Sequence, residues 1–239
     1  MPILPEYEQA KQVFEKYNIN VPRGTFEKLE KYAGFLVDYN QHVNLTAITD
    51  GEEILEKHFL DSFLLQQLTS AYFPESAKLL DIGSGAGFPA VPVALIRPDL
   101  EITLLDSLQK RIIFLEKLKK LLNCNYHAIH GRAEDFAKNP KYRENFDIVT
   151  ARAVANLPVL AEYSLPYVKI GGYWIAMKGP NEEITPALQA IKRLGGMLIK
   201  TIPYQLINGD ARILYLVKKI SPCPTKYPRK IAQIKQKPL

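Results

Sequence analysis

Glycine occupies every second position of one short turn in this chain. The stretch LLDIGSGAGFP, residues 79–89, places Gly83, Gly85 and Gly87 directly after an apolar run that contains Asp81. Glycine has no Cβ, so it adopts positive φ readily and lets a ligand approach the backbone closely. Ligands of α/β sheets bind beyond the carboxyl ends of the strands. The spacing therefore predicts a ligand-binding turn, with Gly85 as the point where the backbone passes against the ligand.

The ligand of this turn is not expected to carry a pyrophosphate. A dinucleotide site requires G-x-G-x-x-G, but here the third glycine comes one residue early and Phe88 takes its place. Pro89 and Pro92 also remove N–H groups from the start of the next helix, which weakens a phosphate cradle. The pattern D-x-G-x-G-x-G instead suits a ligand with an adenosine and an amino acid but no phosphate. S-adenosyl-L-methionine is such a ligand.

Polar residues after the next three strands fit the same cofactor. Asp106 ends a strand 25 residues after Asp81, and from this position an acid accepts hydrogen bonds from ribose hydroxyls. Residues 131–135 follow the next strand and offer a small residue and an acid to an adenine edge. Arg152 follows the fourth strand, where the methionine end of the cofactor is expected. Because these residues follow successive strands of one predicted sheet, together they predict a cofactor site.

A sheet must bring these residues together. From residue 78 onwards, strand-like and helix-like segments alternate, which predicts a mainly parallel sheet with helices on both faces. The expected strands are 78–82, 101–106, 126–130, 146–150, 173–178, 197–203 and 212–218. The expected helices are 108–122, 155–168 and 182–194. Because no helix separates the last two strands, we expect an antiparallel pair to close a seven-stranded, Rossmann-like α/β sheet.

The chain divides into three parts. Residues 1–70 are expected to form an N-terminal helical appendage, residues 71–219 the sheet domain, and residues 220–239 a basic tail. Helical spacing of buried positions supports the appendage. The apolar residues at this spacing are Phe26, Leu29, Ala33, Leu36 and Val37.

The positive charge is concentrated at the end of the chain. Residues 218–239 hold seven Lys and Arg and no acid, whereas the whole chain carries a net charge of +6. Such a tail suits a polyanion such as RNA. The alternative is a solvated, disordered extension.

The remaining composition excludes several classes of protein. Two cysteines form neither a disulfide framework nor a metal-binding pattern. No apolar run approaches the ~18 residues of a membrane span, and the first residues lack a signal-peptide layout. We therefore expect a reduced, cytoplasmic monomer without a metal ion or a membrane contact.

Five segments of the chain resemble one family, the 16S ribosomal RNA guanine-N7 methyltransferases, formerly called glucose-inhibited division protein B. They are HFLDS (58–62), LLDIGSGAGFPAVPVALIRP (79–98), TLLDSLQKRIIFL (103–115), TARAVANLP (150–158) and MKGP (177–180). The resemblance covers roughly residues 20–219. It implies a class I S-adenosylmethionine-dependent methyltransferase fold for the sheet domain. The cofactor positions that it implies are Gly83, Phe88, Ala133, Glu134 and Arg152.

The resemblance also implies a reaction and a partner. The reaction is methyl transfer from S-adenosyl-L-methionine to N7 of one guanine near the decoding centre, in 16S ribosomal RNA or a small-subunit assembly particle. Guanine N7 carries a free lone pair and no proton. The reaction therefore needs no general base, and in-line positioning can supply the catalysis.

Six residues are candidates for substrate contact, each with an alternative. His58 and Asp61 lie on one side of a helix and either line the substrate mouth or satisfy each other. Asn44, in a segment that also matches the family, either contacts substrate or ends a helix. Lys178 lies at the end of a central strand, near the expected rim. Arg229 and Lys230 belong to KYPRK, residues 226–230, which matches members with this extension, but the chain then departs from the family's Gly-Thr-Pro.

Two other classes of function remain open from the sequence. One is a methyltransferase that acts on a protein or a small molecule. The other is a non-catalytic RNA-binding protein that uses the same fold. RNA affinity discriminates the first from an rRNA methyltransferase, and cofactor binding discriminates the second.

Overall fold

The computed structural model describes residues 2–239 and contains one seven-stranded sheet. The strands are Lys78–Ile82 (β1), Glu101–Asp106 (β2), His127–His130 (β3), Phe146–Arg152 (β4), Val168–Lys178 (β5), Gly196–Gln205 (β6) and Ala211–Lys219 (β7). Their order is β3-β2-β1-β4-β5-β7-β6. Neighbouring strands among β1 to β5 are parallel, and β7 is antiparallel to both β5 and β6. The predicted sheet and its closing antiparallel pair are confirmed.

Ten α-helices surround the sheet in the described residues. They are Tyr7–Glu15 (α1), Arg23–Asn40 (α2), Gly51–Ile54 (α3), Asp61–Leu68 (α4), Ala90–Ile96 (α5), Gln109–Leu122 (α6), Ala133–Phe136 (α7), Leu157–Ser164 (α8), Leu188–Arg193 (α9) and Ile231–Gln236 (α10). A π-helical turn, Leu55–Leu60, joins α3 to α4. Between residues 2 and 239, no helix is both long and apolar enough to cross a membrane.

The two faces of the sheet are covered by different parts of the chain. Leu79 of β1 belongs to a core shared with the N-terminal helices, α5 and α6, whereas the next residue, Leu80, belongs to a core shared with α8 and α9. Successive side chains of a strand point to opposite faces, which explains this division. On α2, Phe26, Leu29 and Leu36 are buried against the first core. The N-terminal helices thus form one layer of the sheet's own core.

The basic tail packs against the body instead of extending into solvent. Tyr227 and Ile234 are buried, and α10 lies beside α8. Arg229, which we predicted as a substrate contact, donates hydrogen bonds to both carboxylate oxygens of Glu162, at 2.9 and 2.6 Å. Glu162 has no solvent exposure, and a buried carboxylate requires such a partner. The guanidinium of Arg229 is therefore used to stabilise the fold and is not free to contact substrate, whereas Lys230 is exposed.

Candidate functional site

The glycine turn connects β1 to α5 at the point where the strand order of the sheet reverses. Gly83, Gly85 and Gly87 have φ values of +68°, +56° and +97°. A Cβ on Gly87 would lie 2.7 Å from both the Tyr32 hydroxyl oxygen and Val91 Cγ2, so the fold itself requires this glycine. A Cβ on Gly85 would meet nothing closer than the Gly83 carbonyl oxygen at 3.8 Å. The protein therefore leaves open space at Gly85.

A cavity of about 590 Å³ opens beside this turn. Its walls come from the glycine turn, the ends of β4 and β5, β7 and the N-terminal helical layer. Seven of the residues predicted from the sequence line it: Gly83, Gly85, Phe88, Arg152, His58, Asp61 and Lys178. Residues separated by more than a hundred positions in the chain therefore meet at one site.

Phe88 is held in an aromatic stack at the edge of the cavity. Its ring lies parallel to that of Tyr32, with 5.1 Å between centroids and 4° between planes. The His58 ring stacks with Phe88 at 4.3 Å, and the Arg152 guanidinium carbon lies 5.2 Å from the Phe88 centroid. Tyr32 also donates a hydrogen bond from its hydroxyl to the Ala86 carbonyl. Helix α2 thereby fixes both the turn and the ring that follows it.

Arg152 is the centre of a buried polar network. Its Nη1 donates to the Lys57 carbonyl at 3.0 Å and to Asp61 Oδ2 at 3.2 Å. Its Nη2 lies 3.2 Å from His58 Nδ1. The Tyr204 hydroxyl donates to Asp61 Oδ1 at 2.6 Å. His58 and Asp61 therefore both face Arg152 from the N-terminal helical layer.

His58 is neutral in this network. Burial, followed by the positive charge of Arg152, lowers the pKa of His58 to about 3. His58 Nδ1 lies 3.2 Å from both Arg152 Nη2 and the Lys57 carbonyl oxygen. His58 Nε2 lies within hydrogen-bond distance of Thr46 Oγ1, at 3.0 Å. Both ring nitrogens are thus in use.

Asp106 lies against the glycine turn, as its position at the end of β2 predicts. Its Oδ2 accepts hydrogen bonds from the Gly85 backbone N–H at 2.8 Å and from Arg111 Nη1 at 3.1 Å. Its Oδ1 accepts one hydrogen bond, from the Leu108 N–H at 2.9 Å. A carboxylate oxygen accepts about two hydrogen bonds. Oδ1 of Asp106 therefore retains capacity for a further donor such as a hydroxyl.

Ala133 and Glu134 begin α7, directly after β3. Glu134 is buried, and its Oε1 has no hydrogen-bond partner among the described residues. The Ala133 carbonyl accepts a hydrogen bond from the Tyr167 hydroxyl at 2.6 Å, which fixes the start of α7. Neither residue lines the cavity. An unused buried acceptor fits a ligand amine, such as the exocyclic amine of adenine.

Asp81, the acid at the start of the glycine pattern, is fully enclosed under the turn. Its Oδ1 accepts a hydrogen bond from Thr150 Oγ1 at 2.9 Å, whereas its Oδ2 has no partner among the residues that the structure describes. Burial raises the pKa of Asp81 to about 7, although the nearby hydroxyls of Ser84 and Thr150 oppose this shift.

Lys178 ends β5 at the cavity wall, as predicted. Its side chain is 5% exposed, its Nζ donates to the Ala155 carbonyl, and it lies 2.9 Å from Glu182 Oε1. Asn44 and Lys230 were also predicted as substrate contacts. Both are exposed, and neither lines the cavity.

Sequence reasoning missed four residues near this cavity. Lys57, Glu182 and Arg212 line it, and Tyr204 supports Asp61 from β6. Glu182 lies close to the MKGP segment, which was a usable signal. The other three carry no local pattern. Over residues 2–239, no group of three or more His, Cys, Asp or Glu side chains is arranged to hold a metal ion.

Comparisons with solved structures agree with the fold. The structure of M. jannaschii TYW2 in complex with AdoMet has a TM-score of 0.51 and 12% identity, and the match covers 86% of this chain and 80% of that one. Precorrin-6y C5,15-methyltransferase from Geobacter metallireducens has a TM-score of 0.50 and 15% identity, over 72% of this chain and 90% of that one. The predicted class I methyltransferase fold is confirmed.

Comparisons of sequence are more specific. The family described as GidB, rRNA small subunit methyltransferase G, matches residues 25–194. Ribosomal RNA small subunit methyltransferase G of Clostridium novyi is 48% identical, over 90% of this chain and 89% of the relative. The protein of the same name from Lactobacillus delbrueckii subsp. bulgaricus is 45% identical, over 95% and 97%. The chain belongs to the rRNA small subunit methyltransferase G family of S-adenosylmethionine-dependent methyltransferases.

Proposed function

We propose that this protein transfers the methyl group of S-adenosyl-L-methionine to N7 of one guanine in 16S ribosomal RNA, near the decoding centre. The observation that carries the proposal is a single cavity that joins the glycine turn to a wall rich in basic side chains. The substrate class comes from relatives named for the small-subunit rRNA, which this chain matches over 89% and 97% of their length.

The site's own residues fit the cofactor, which supplies a methyl group on a positively charged sulfur when it is bound. Gly85 leaves space for a ligand against the backbone. Asp106 Oδ1 has capacity for a ribose hydroxyl, and Glu134 Oε1 for the adenine amine. These atoms lie beyond β1, β2 and β3, in the order that an extended adenosine requires. We assign Gly83, Phe88, Ala133 and Arg152 to the same site.

The charge of the cavity supports an RNA substrate over a neutral small molecule. Five basic side chains and two acidic ones line the cavity, and each of the five basic side chains also forms an ion pair with a carboxylate of the protein. The basic residues are Lys57, Arg111, Arg152, Lys178 and Arg212. A basic concave surface attracts and orients a polyanion.

The chemistry of the site suits a nucleophile that loses no proton. His58 is neutral, but Arg152 and Thr46 occupy its two ring nitrogens, so it is not free to act as a base. Guanine N7 attacks through a lone pair and releases no proton. Catalysis then rests on orientation of the base and on groups that tolerate a cationic purine.

Methylation in vitro tests the proposal. The purified protein is incubated with S-adenosylmethionine and either free 16S rRNA or small-subunit particles, and N7-methylguanine is mapped by nucleoside mass spectrometry and chemical cleavage at the modified base. We expect one modified guanine. Methylation of a protein or small molecule instead, or RNA binding without cofactor binding, would favour the two other classes of function.

A further inference from the structure

The wall of the cavity that follows β5 presents a carboxylate with unused hydrogen-bonding capacity. Glu182 lines the cavity, and its Oε1 is buried without a hydrogen-bond partner among the described residues. Lys178 Nζ forms an ion pair with this oxygen at 2.9 Å, while the hydrogen bond of Nζ goes to the Ala155 carbonyl. The Glu182 carbonyl accepts a hydrogen bond from the Tyr215 hydroxyl at 2.8 Å, which anchors this segment to β7.

A second carboxylate lines the cavity, but each of its oxygens already accepts a hydrogen bond. Asp61 Oδ1 accepts from the Tyr204 hydroxyl, and Oδ2 accepts from Arg152. Glu182 Oε1 accepts no hydrogen bond, whereas each Asp61 oxygen accepts one, so of the two acids in the described lining Glu182 has the larger unused capacity.

We infer that Glu182 recognises the Watson–Crick edge of the target guanine, an assignment that rests on the proposed function. Guanine presents two adjacent donors on this edge, N1–H and the N2 amine, which match the two oxygens of a carboxylate. Adenine presents an N1 acceptor at the corresponding place, which a carboxylate repels. Enzymes that modify an extruded base commonly recognise it through this edge. N7 lies on the other ring of the purine, so this mode of binding leaves N7 free to face the methyl donor.

The same contact contributes to the rate. In the reaction, the N7–CH₃ bond forms, the S–CH₃ bond breaks, and positive charge moves from sulfur to the purine without release of a proton. Because the purine becomes cationic, its N1–H becomes a stronger donor, and its hydrogen bond to Glu182 strengthens in the transition state. An interaction that is stronger in the transition state than in the ground state raises kcat.

The variant Glu182→Gln tests the assignment, with Glu183→Gln as the matched control because Glu183 is the exposed neighbour. A glutamine keeps the size of the side chain but offers one acceptor and one donor. We expect Glu182→Gln to lower kcat/KM by about 5- to 150-fold, the range for a bidentate base contact, mainly through kcat. The control is expected to retain wild-type kinetics, and calorimetry is expected to show unchanged cofactor affinity in both variants.

Replacement of the target guanine by inosine, which retains N7 but lacks the N2 amine, provides a second measurement. The wild type should discriminate against inosine, and Glu182→Gln should lose most of this discrimination. Wild-type kinetics and unchanged discrimination in Glu182→Gln would overturn the assignment while leaving N7 methylation intact. A wild-type protein that forms no N7-methylguanine would overturn the proposed function and, with it, this assignment.

Discussion

At the scale of single residues, Gly85 and Gly87 belong to the same turn, but their surroundings differ. Gly87 is enclosed by Tyr32 and Val91, whereas Gly85 faces open space. The same glycine pattern thus contains one residue that the packing requires and one beside which the packing leaves room for a ligand. The sequence places both on the turn, but their roles differ only through neighbours that lie far away in the chain or on the next helix.

Alanine substitutions should separate these roles. Gly85→Ala adds a Cβ where the protein has room, so we expect an unfolding cost of about 1–2 kcal/mol from its positive φ and a clear loss of cofactor affinity. Gly87→Ala should destabilise the protein more, because the added Cβ meets Tyr32 and Val91. Urea unfolding and titration calorimetry measure the two effects. Unchanged cofactor affinity in folded Gly85→Ala would remove the cofactor from this turn.

The buried Asp81 gives a prediction about pH. Its folded-state pKa, about 7, is above the ordinary value of 3.8, so its favourable contribution to stability is complete below pH 4 and is lost as pH rises through 7. We therefore expect Asp81→Asn to gain stability relative to the wild type between pH 4 and 7, by at most about 1.4 kcal/mol per pH unit.

Urea unfolding of both proteins across this pH range provides the test of Asp81. The lowered pKa of His58 acts in the opposite direction below pH 6.5, but it is common to both proteins and cancels in their difference. A difference that does not vary with pH would contradict the prediction.

At the scale of elements, local patterns account for the sheet and its main helices. The expected strands agree with β1 to β7 to within a few residues, except that β5 starts five residues earlier, at Val168. Periodicity does not reveal which polar side chains meet. Asp61 and Tyr204 are 143 residues apart, and Glu162 and Arg229 are 67 apart. Nothing in either local sequence distinguishes these side chains from ordinary surface residues, so the tail's packing and the Arg152 network could not be predicted.

The contact between α8 and the tail can be tested through its ion pair. Arg229→Met leaves Glu162 buried without its partner, and we expect a loss of about 3 kcal/mol in the free energy of unfolding. The double variant Arg229→Met, Glu162→Gln removes the buried charge as well and should recover part of that loss. Urea unfolding measures both. Equal stability of wild type and Arg229→Met would show that the tail contributes little to the fold.

At the scale of the whole molecule, deletion of the basic tail would remove packing contacts together with positive charge. Ile234 packs against Val159 and Tyr163, with Ala133 at the edge of the same cluster. Removal of residues 220–239 would therefore disturb the start of α7, where the adenine is expected. Of the seven basic residues in 218–239 that the sequence suggested for a polyanion, Lys219 and Arg229 are paired with acids of the body.

Substitution of exposed lysines isolates the charge. Lys226, Lys230, Lys235 and Lys237 are exposed, and their joint replacement by glutamine leaves the buried contacts in place. If all four lysines contact phosphates of single-stranded RNA, their replacement should make the negative slope of log affinity against log salt shallower by about 3. Filter binding at several salt concentrations measures the slope, and cofactor affinity serves as the control. An unchanged slope would direct attention to the basic residues of α6.

The residues that line the cavity extend along the sequence from Leu45 to Arg212. They therefore leave the ribosome at different times during synthesis. A ribosome releases the chain from its N-terminus at about 5–20 residues per second, so Arg212 follows Gly85 by on the order of ten seconds. β7, which carries Arg212, pairs with residues 173–178 of β5 on one side and with β6 on the other. The wall after β5 is therefore completed only when synthesis is nearly finished. A protein that modifies ribosomal RNA thus has no finished site for its substrate during most of its own translation.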